Sequence, residues 1–99
     1  MEGNGGGDLF ELNGKHYELI ENVKDGFQEE AIKERYADIL AKYDYIVGDW
    51  GYDQLRMKGF YHDRNSKAPI DSKISTVQDY ILEHCNFGCA YFVLKKITK

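Results

Sequence analysis

The stretch from Tyr43 to Arg64 reads YDYIVGDWGYDQLRMKGFYHDR and contains the only tryptophan of the chain. Two apolar segments, Tyr45–Val47 and Leu55–Tyr61, flank the sequence GDWGYD at positions 48–53. Because glycine and aspartate are favoured turn residues, the pattern predicts two neighbouring strands joined at a bend that carries Trp50. A large aromatic side chain at such a bend is costly to leave in water, so Trp50 either packs under the sheet or is offered to a partner.

An Asn13-Gly14 dipeptide between two extended segments predicts a β-hairpin near the N-terminus. Both central residues of a type I′ turn need a positive φ, and asparagine and glycine accept it. Further along, the segment Ala90–Ile97 has apolar residues at consecutive positions. A strand of this kind is apolar on both faces, so we expect it in the centre of the sheet.

A capping-box pattern opens each of two predicted helices, at Asp25 and at Ser75, with a glutamine three residues later in both cases. Apolar residues at helical spacing carry the first helix to about Tyr43 and the second to about Cys85. The residues of the second helix that we expect to face the core are Val77, Ile81 and Leu82.

These elements give the order ββαββαβ, which predicts an α+β domain. We expect a mainly antiparallel, curved sheet of about five strands with two helices packed on one face. The two middle strands are predicted at Tyr45–Asp49 and Leu55–His62. Without its first strand the order is βαββαβ, the order of the split, ferredoxin-like plan.

Length and composition limit the class of protein. The 99 residues, 42% of them hydrophobic, correspond to one globular domain. Residues 1–7, MEGNGGG, are predicted to be a disordered tail, and residues 8–99 the domain. No apolar segment approaches a membrane span and no signal peptide is recognisable, so we expect a cytoplasmic protein without membrane contact.

Charge is distributed unevenly along the chain. Residues 1–53 contain 5 Lys or Arg against 13 Asp or Glu, a net charge of -8, whereas residues 54–99 contain 8 against 4, a net charge of +4. The two halves either neutralise each other within one fold or leave a basic patch for an anionic partner. The overall charge of -4 argues against tight nonspecific binding of nucleic acid, which depends on phosphate contacts.

Three phrases, YDYIVGDWGY, LRMKGF and HCNFGCAYFVL, are long and idiosyncratic. With the segments around them, they resemble the YutD-like family of small cytosolic proteins from Gram-positive bacteria. The resemblance covers nearly everything after residue 15. It implies a compact α+β domain in the cytoplasm, and it brings no catalytic residues because none is assigned in the family.

The predicted function is that of a non-enzymatic binding or adaptor domain whose partner is another protein and which needs no cofactor. Aromatic residues and arginine are enriched at binding hot spots, and both occur at the Trp50 bend and on the strand that follows it. The predicted partner-binding residues are Asp49, Trp50, Tyr52, Arg56, Lys58, Phe60 and Arg64.

An alternative is binding of RNA or the ribosome. Strand alternation places Arg56, Lys58, Phe60 and His62 on one face, where cations and an aromatic ring suit phosphates and stacked bases, and Lys67 would join from the next loop. Lys58-Gly59-Phe60 matches the start of the RNA-recognition-motif signature, but Tyr61 and His62 depart from it. The same cations, with Arg64 and Lys73, would also suit a smaller anionic ligand.

A second alternative is a small enzyme with Asp49 or His62 as its acid or base. No Ser-His-Asp or Cys-His arrangement is recognisable, so an enzyme is the less favoured class. The spacing of His84, Cys85 and Cys89 is not that of a metal or thioredoxin-like site, and we predict free core thiols and no metal.

Overall fold

The computed structural model describes residues 9–51, 54–84 and 89–97. Within these residues the element order is ββαββαβ, as predicted, with short 3-10 turns between the main elements. The predicted tail at residues 1–7 lies outside the described residues. The strands are β1 (Leu9–Leu12), β2 (Lys15–Val23), β3 (Tyr45–Gly51), β4 (Gln54–Phe60) and β5 (Tyr91–Ile97); the helices are α1 (Glu29–Arg35) and α2 (Val77–His84). The 3-10 turns are Asp38–Lys42, Ile70–Ser72 and Ile74–Thr76.

The described strands form one antiparallel sheet in the order β1-β2-β5-β3-β4. The last strand of the chain, β5, therefore lies in the middle, as its two apolar faces predicted. Its Phe92, Val93 and Leu94 are all buried. A register shift between Leu19 and Glu21 of β2 marks a bulge, and bulges increase the local twist of a sheet. The predicted α+β class with a curved five-stranded sheet is confirmed.

The two helices pack on opposite faces of this sheet, which corrects the prediction that both lie on one face. Consecutive residues of a strand point to opposite faces. Ile46 of β3 belongs to the same core cluster as Ile32 of α1. Its neighbour Val47 belongs to a second cluster, against which Val77 of α2 packs. We refer to these sides as the α1 face and the α2 face.

The first helix begins later than the sequence predicted. Asp25 has a φ of 58° and lies in a turn, and helix α1 opens at Glu29 after Gln28, whose side chain makes no capping hydrogen bond. The close packing of Gly26 explains this start, because the position of its missing Cβ lies 2.6 Å from the backbone nitrogen of Tyr91. The chain must therefore cross β5 tightly before it can coil into a helix.

The predicted first helix also divides into two pieces. Helix α1 ends before Tyr36, which has an extended ψ of 131°, and a 3-10 turn follows from Asp38 to Lys42. Leu40 of this turn is buried, whereas Ile39 is 62% exposed. Within the described residues, no helix has the length and apolar character needed to cross a membrane.

Candidate functional site

The strand pairing separates the predicted partner-binding residues between two faces. On β3 and β4, Asp49 pairs with Arg56 and Val47 pairs with Lys58, so these side chains share the α2 face. Trp50 pairs with Leu55, and both belong to the cluster on the α1 face. Tyr52 lies outside the described residues. The Trp50 bend and the basic strand therefore do not form one continuous surface.

Trp50 packs under the sheet rather than projecting from it. Its ring lies against the α1-face cluster, and its Nε1 donates a hydrogen bond of 2.7 Å to the carbonyl oxygen of Gly26. An indole N–H that is withdrawn from water needs such an acceptor. Trp50 is half-buried, and of its two alternatives the structure shows the packed one, on the α1 face.

Phe60 is also a core residue, with no exposed surface. The ring of Tyr80 from α2 meets it edge-on at a centroid distance of 5.6 Å, and the ammonium of Lys58 lies 5.1 Å from the Phe60 centroid. Helix α2 thus covers the ring that the RNA hypothesis needs for base stacking. The ammonium of Lys58 also lies 6.0 Å from the Tyr80 centroid, so its charge stands over two aromatic rings. The Lys58 side chain is half-buried.

Asp49 is the buried carboxylate of the α2 face. It is fully buried, and Nη2 of Arg56 donates to its Oδ2 at 2.5 Å while the Tyr80 hydroxyl donates to its Oδ1 at 3.3 Å. A buried charge is tolerated only when it is paired and hydrogen-bonded in this way. Burial, followed by the charge and hydrogen bond of Asp49, raises the pKa of Tyr80 to about 12, with Arg56 opposing the shift.

The other predicted candidates lie apart from this cluster. His62 accepts a hydrogen bond at Nδ1 from the backbone N–H of Arg64. The backbone N–H of His62 donates to Oδ2 of Asp44. The ring of His62 lies beside that of Tyr45, with a centroid distance of 6.4 Å. Tyr45 is four residues before Asp49 on β3, which is about 13 Å along the strand at about 3.3 Å per residue. Asp49 and His62 therefore do not form a pair. Arg64 and Lys67 are exposed in the loop that follows.

The cysteine prediction is corrected for one residue. Cys89 is disulfide-bonded and not a free thiol. Cysteine count and compartment indicate which redox state is favoured, whereas bonding also depends on which sulfurs the fold brings together. Cys85 and the side chain of His84 lie outside the described residues. Among the residues that are described, no group of three His, Cys, Asp or Glu side chains is arranged to hold a metal ion.

A groove on the α2 face brings together residues that the sequence did not single out. It has a volume of about 570 Å³ and runs between α2 and the Ile70–Ser72 turn, with Lys58 and Tyr80 among its lining residues. The others are Ile70, Asp71, Thr76, Asp79 and Glu83. We call this the α2 groove. Lys58 is the predicted partner-binding residue that lines it, and Arg56 lies one step along the same face.

Two apolar side chains of the segments that form this groove are exposed. Ile70 at its rim is 76% exposed, and Leu82 on α2 is 80% exposed although its spacing predicted a buried residue. Successive side chains of a helix are rotated by about 100° around its axis, and Val77, Tyr80 and Ile81 occupy the arc of α2 that faces the sheet. Leu82 therefore lies on the opposite side of the helix, which explains its exposure. Its hydrophobicity suggested the core, but its angle on the helix relative to Tyr80 indicates the surface.

Comparison with known proteins agrees with this architecture. The model of the family described as "Putative antitoxin YutD-like" matches residues 11–95. A Bacillus subtilis (strain 168) protein named "Putative antitoxin YutD" is 65% identical over 88 residues, which is 89% of this chain and 97% of that protein. The solution NMR structure of protein yutD from B. subtilis superposes with a TM-score of 0.80 at 60% identity, covering 98% of this chain and 88% of that one.

Proposed function

Since the chain belongs to the YutD-like family, we propose that it is a non-enzymatic domain that binds a protein partner through the α2 groove. The B. subtilis relative bears the name "Putative antitoxin YutD". Neutralising a toxin by contact requires a binding surface and no catalytic centre. The proposal keeps the partner class predicted from the sequence and moves the contact from the Trp50 bend to α2.

The observation that carries the proposal is the exposure of Ile70 at the rim of a groove lined by both charge signs. Ile70 is 76% exposed beside Tyr80 and Thr76, so a partner would remove apolar surface from water while its polar groups meet charged side chains. Burying one isoleucine side chain contributes about 1.5–3 kcal/mol, which suits a central contact. Helix α2, which forms one wall, is held by Phe60 and Val93 beneath it.

The same geometry favours a protein over RNA. Phe60, the proposed stacking ring, is fully buried, and carboxylates line the groove next to Lys58. Phosphates approaching Lys58 would meet these carboxylates at close range, which opposes binding. Arg64 and Lys67 lie in a separate loop.

A photocrosslinking amino acid at position 70 tests the proposal in living cells of the host. We expect it to capture one protein whose recovery is unaffected by nuclease, whereas the same amino acid at Ile39, which is also exposed but belongs to the turn after α1, should not. The captured protein is then purified and titrated with Ile70→Ser and Ile39→Ser variants, which remove an apolar contact without changing the charge. Ile70→Ser should weaken binding about tenfold or more, equivalent to about 1.4 kcal/mol.

Two results would contradict the proposal. One is capture of nucleic acid alone at position 70, which would favour the RNA alternative. The other is an equal effect of Ile70→Ser and Ile39→Ser on affinity, whether both variants weaken binding or neither does, because a contact at the groove requires that Ile70→Ser alone weakens it. Circular dichroism of both variants establishes that the folds are intact.

A further inference from the structure

The charge on the α2 groove is opposite to the charge of the chain segment that forms it. Residues 54–99 carry a net charge of +4 and contain only four acidic residues. Three of these four, Asp71, Asp79 and Glu83, line the groove, where Lys58 is the one cation among the lining residues. The basic patch that the segment charge suggested is therefore replaced, at this position, by an acidic groove.

Asp71 and Asp79 are also available to a partner. Both are exposed, and neither forms an ion pair with another described residue. Lys58, the cation among the lining residues, has its ammonium over the rings of Phe60 and Tyr80. A cleft lined mostly by one sign of charge concentrates the opposite sign, so the groove attracts cations.

Of the two acidic residues on α2, Asp79 lies in the first turn, where the helix dipole favours a carboxylate. Asp79 and Glu83 are four residues apart, where like charges repel, and Glu83 lies next to the last residue of the helix, where the dipole favours cations. A cation bound beside Asp79 would relieve the repulsion between these two positions. The apolar wall supplied by Ile70 and Tyr80 suits the aliphatic stem that precedes the charge of arginine or lysine.

From this placement we propose that the partner inserts a cationic, apolar segment, with an arginine or lysine beside an aliphatic residue, into the α2 groove. The charged head lies toward Asp71, Asp79 and Glu83, and the aliphatic residue lies on Ile70. This inference rests on the proposed function and adds the chemistry of the partner.

Synthetic peptides test the chemistry without knowledge of the natural partner. The probe is a fluorescein-labelled, amide-capped peptide of four Leu-Arg-Ala repeats, and its matched control has glutamate in place of every arginine. We expect the arginine peptide to bind, to shift the amide NMR signals of Ile70 and Tyr80, and to lose affinity as salt rises. Binding of the glutamate peptide at the groove would overturn the proposal in favour of an anion site at Lys58.

A matched pair of variants separates the groove from general acidity. Asp79→Asn with Glu83→Gln removes two charges at i,i+4 spacing from the groove, and Glu30→Gln with Glu34→Gln removes two at the same spacing from exposed positions of α1. The groove variant should bind the arginine peptide about fivefold or more weakly, and the α1 variant about as well as the native protein. Equal losses would show nonspecific attraction and overturn the proposal.

Two variants, Ile70→Ser and Asp79→Asn/Glu83→Gln, are titrated with the partner captured at position 70 to distinguish failure of this inference from failure of the proposed function. If Ile70→Ser abolishes partner binding and the Asp79→Asn/Glu83→Gln protein binds normally, the groove is the interface but the cationic segment is wrong. If Ile70→Ser has no effect, the proposed function itself is wrong.

Discussion

Tyr80 connects three parts of the α2 face: it packs on Phe60, donates a hydrogen bond to Asp49 and lines the groove. Its phenol lies against a fully buried carboxylate whose charge is balanced by Arg56, a side chain that is itself 48% exposed. A negative charge on Tyr80 would face Asp49 directly. The neutral phenol is therefore the form that the folded protein selects.

This selection predicts a stability change at alkaline pH. The pKa of Tyr80 is raised from 10.0 to about 12, mainly by burial and then by Asp49, so above pH 10 the unfolded chain releases a proton that the folded chain retains. The contribution of the neutral Tyr80 phenol to the free energy of unfolding is therefore complete below pH 10 and is lost as pH rises toward 12. Burial and the Tyr36 hydroxyl also raise the pKa of Tyr17.

Urea unfolding at several pH values between 9 and 12 checks the prediction. We expect the free energy of unfolding to fall less steeply with pH in Tyr80→Phe than in the native protein, and least steeply in the Tyr17→Phe/Tyr80→Phe double variant. A Tyr80→Phe slope that parallels the native slope would show that the phenol titrates alike in the folded and unfolded chains.

Residue types indicated some of the site but not its exposure. Of the predicted partner-binding residues, Asp49, Arg56, Lys58 and Phe60 lie on one face of the sheet, whereas Trp50 lies on the other. Their exposure depends on α2, which is distant in sequence and covers Phe60. Asp71, Asp79 and Glu83 resembled ordinary solvent-exposed charges, because only the fold brings the two segments together.

At the scale of the elements, the packing of β3 on β5 depends on a glycine. Gly48 pairs with Phe92 across the two strands, and the Phe92 ring occupies the position where a Cβ on Gly48 would lie. Phe92 is fully buried, and since core side chains are close-packed, a shift of its ring would disturb its neighbours. The glycine therefore lets the central pair of strands carry a large ring at close range.

Gly48→Ala is accordingly expected to lower the free energy of unfolding by about 1–3 kcal/mol, the usual range for overpacking a core. Gly51→Ala in the same strand is the matched control, because its nearest neighbour is the flexible guanidinium of Arg56 at 3.1 Å. We expect the control to change stability by less than about 0.5 kcal/mol. Chemical denaturation measures both, and equal effects would show that strand propensity, not the Phe92 contact, sets the cost.

Local signals predicted elements best where the determinant was local. The Asn13-Gly14 turn, with φ of 53° and 84°, is present as expected because those two residues alone provide its backbone geometry. The start of α1 was predicted too early because the capping box at Asp25 competes with the close approach of Gly26 to Tyr91. That contact is between residues 65 positions apart and leaves no mark in the local pattern.

For the whole molecule, strand number, class and the central position of β5 followed from the sequence, but the placement of the helices did not. Alternation shows that β3 and β5 are apolar on both faces, yet it does not say which helix covers which face. Ile46 and Val47 are equivalent in the pattern and differ only in their neighbours, α1 for one and α2 for the other. The helices cover both faces because both faces of the central strands need cover.

This two-sided arrangement predicts that the molecule unfolds as one unit. Consecutive residues of β5 supply both cores, with Phe92 and Leu94 in the α1-face cluster and Val93 in the α2-face cluster. Loss of either cluster removes the support on which the other packs. Ile32→Ala in α1, at a fully buried position, should therefore destabilise both sides by the same amount, about 2–5 kcal/mol.

Two probes check this during urea unfolding: the fluorescence of Trp50 for the α1 face, and the fluorine NMR signal of fluorotyrosine placed at Tyr80 for the α2 face. In the native protein and in Ile32→Ala the two unfolding transitions should coincide, as two-state behaviour requires. Leu82→Ala, at a position that is 80% exposed, is the control and should shift neither by more than about 0.5 kcal/mol. If Ile32→Ala moved only the Trp50 transition, the two faces would be independent, and α2 with its groove would be free to remain folded when α1 is lost.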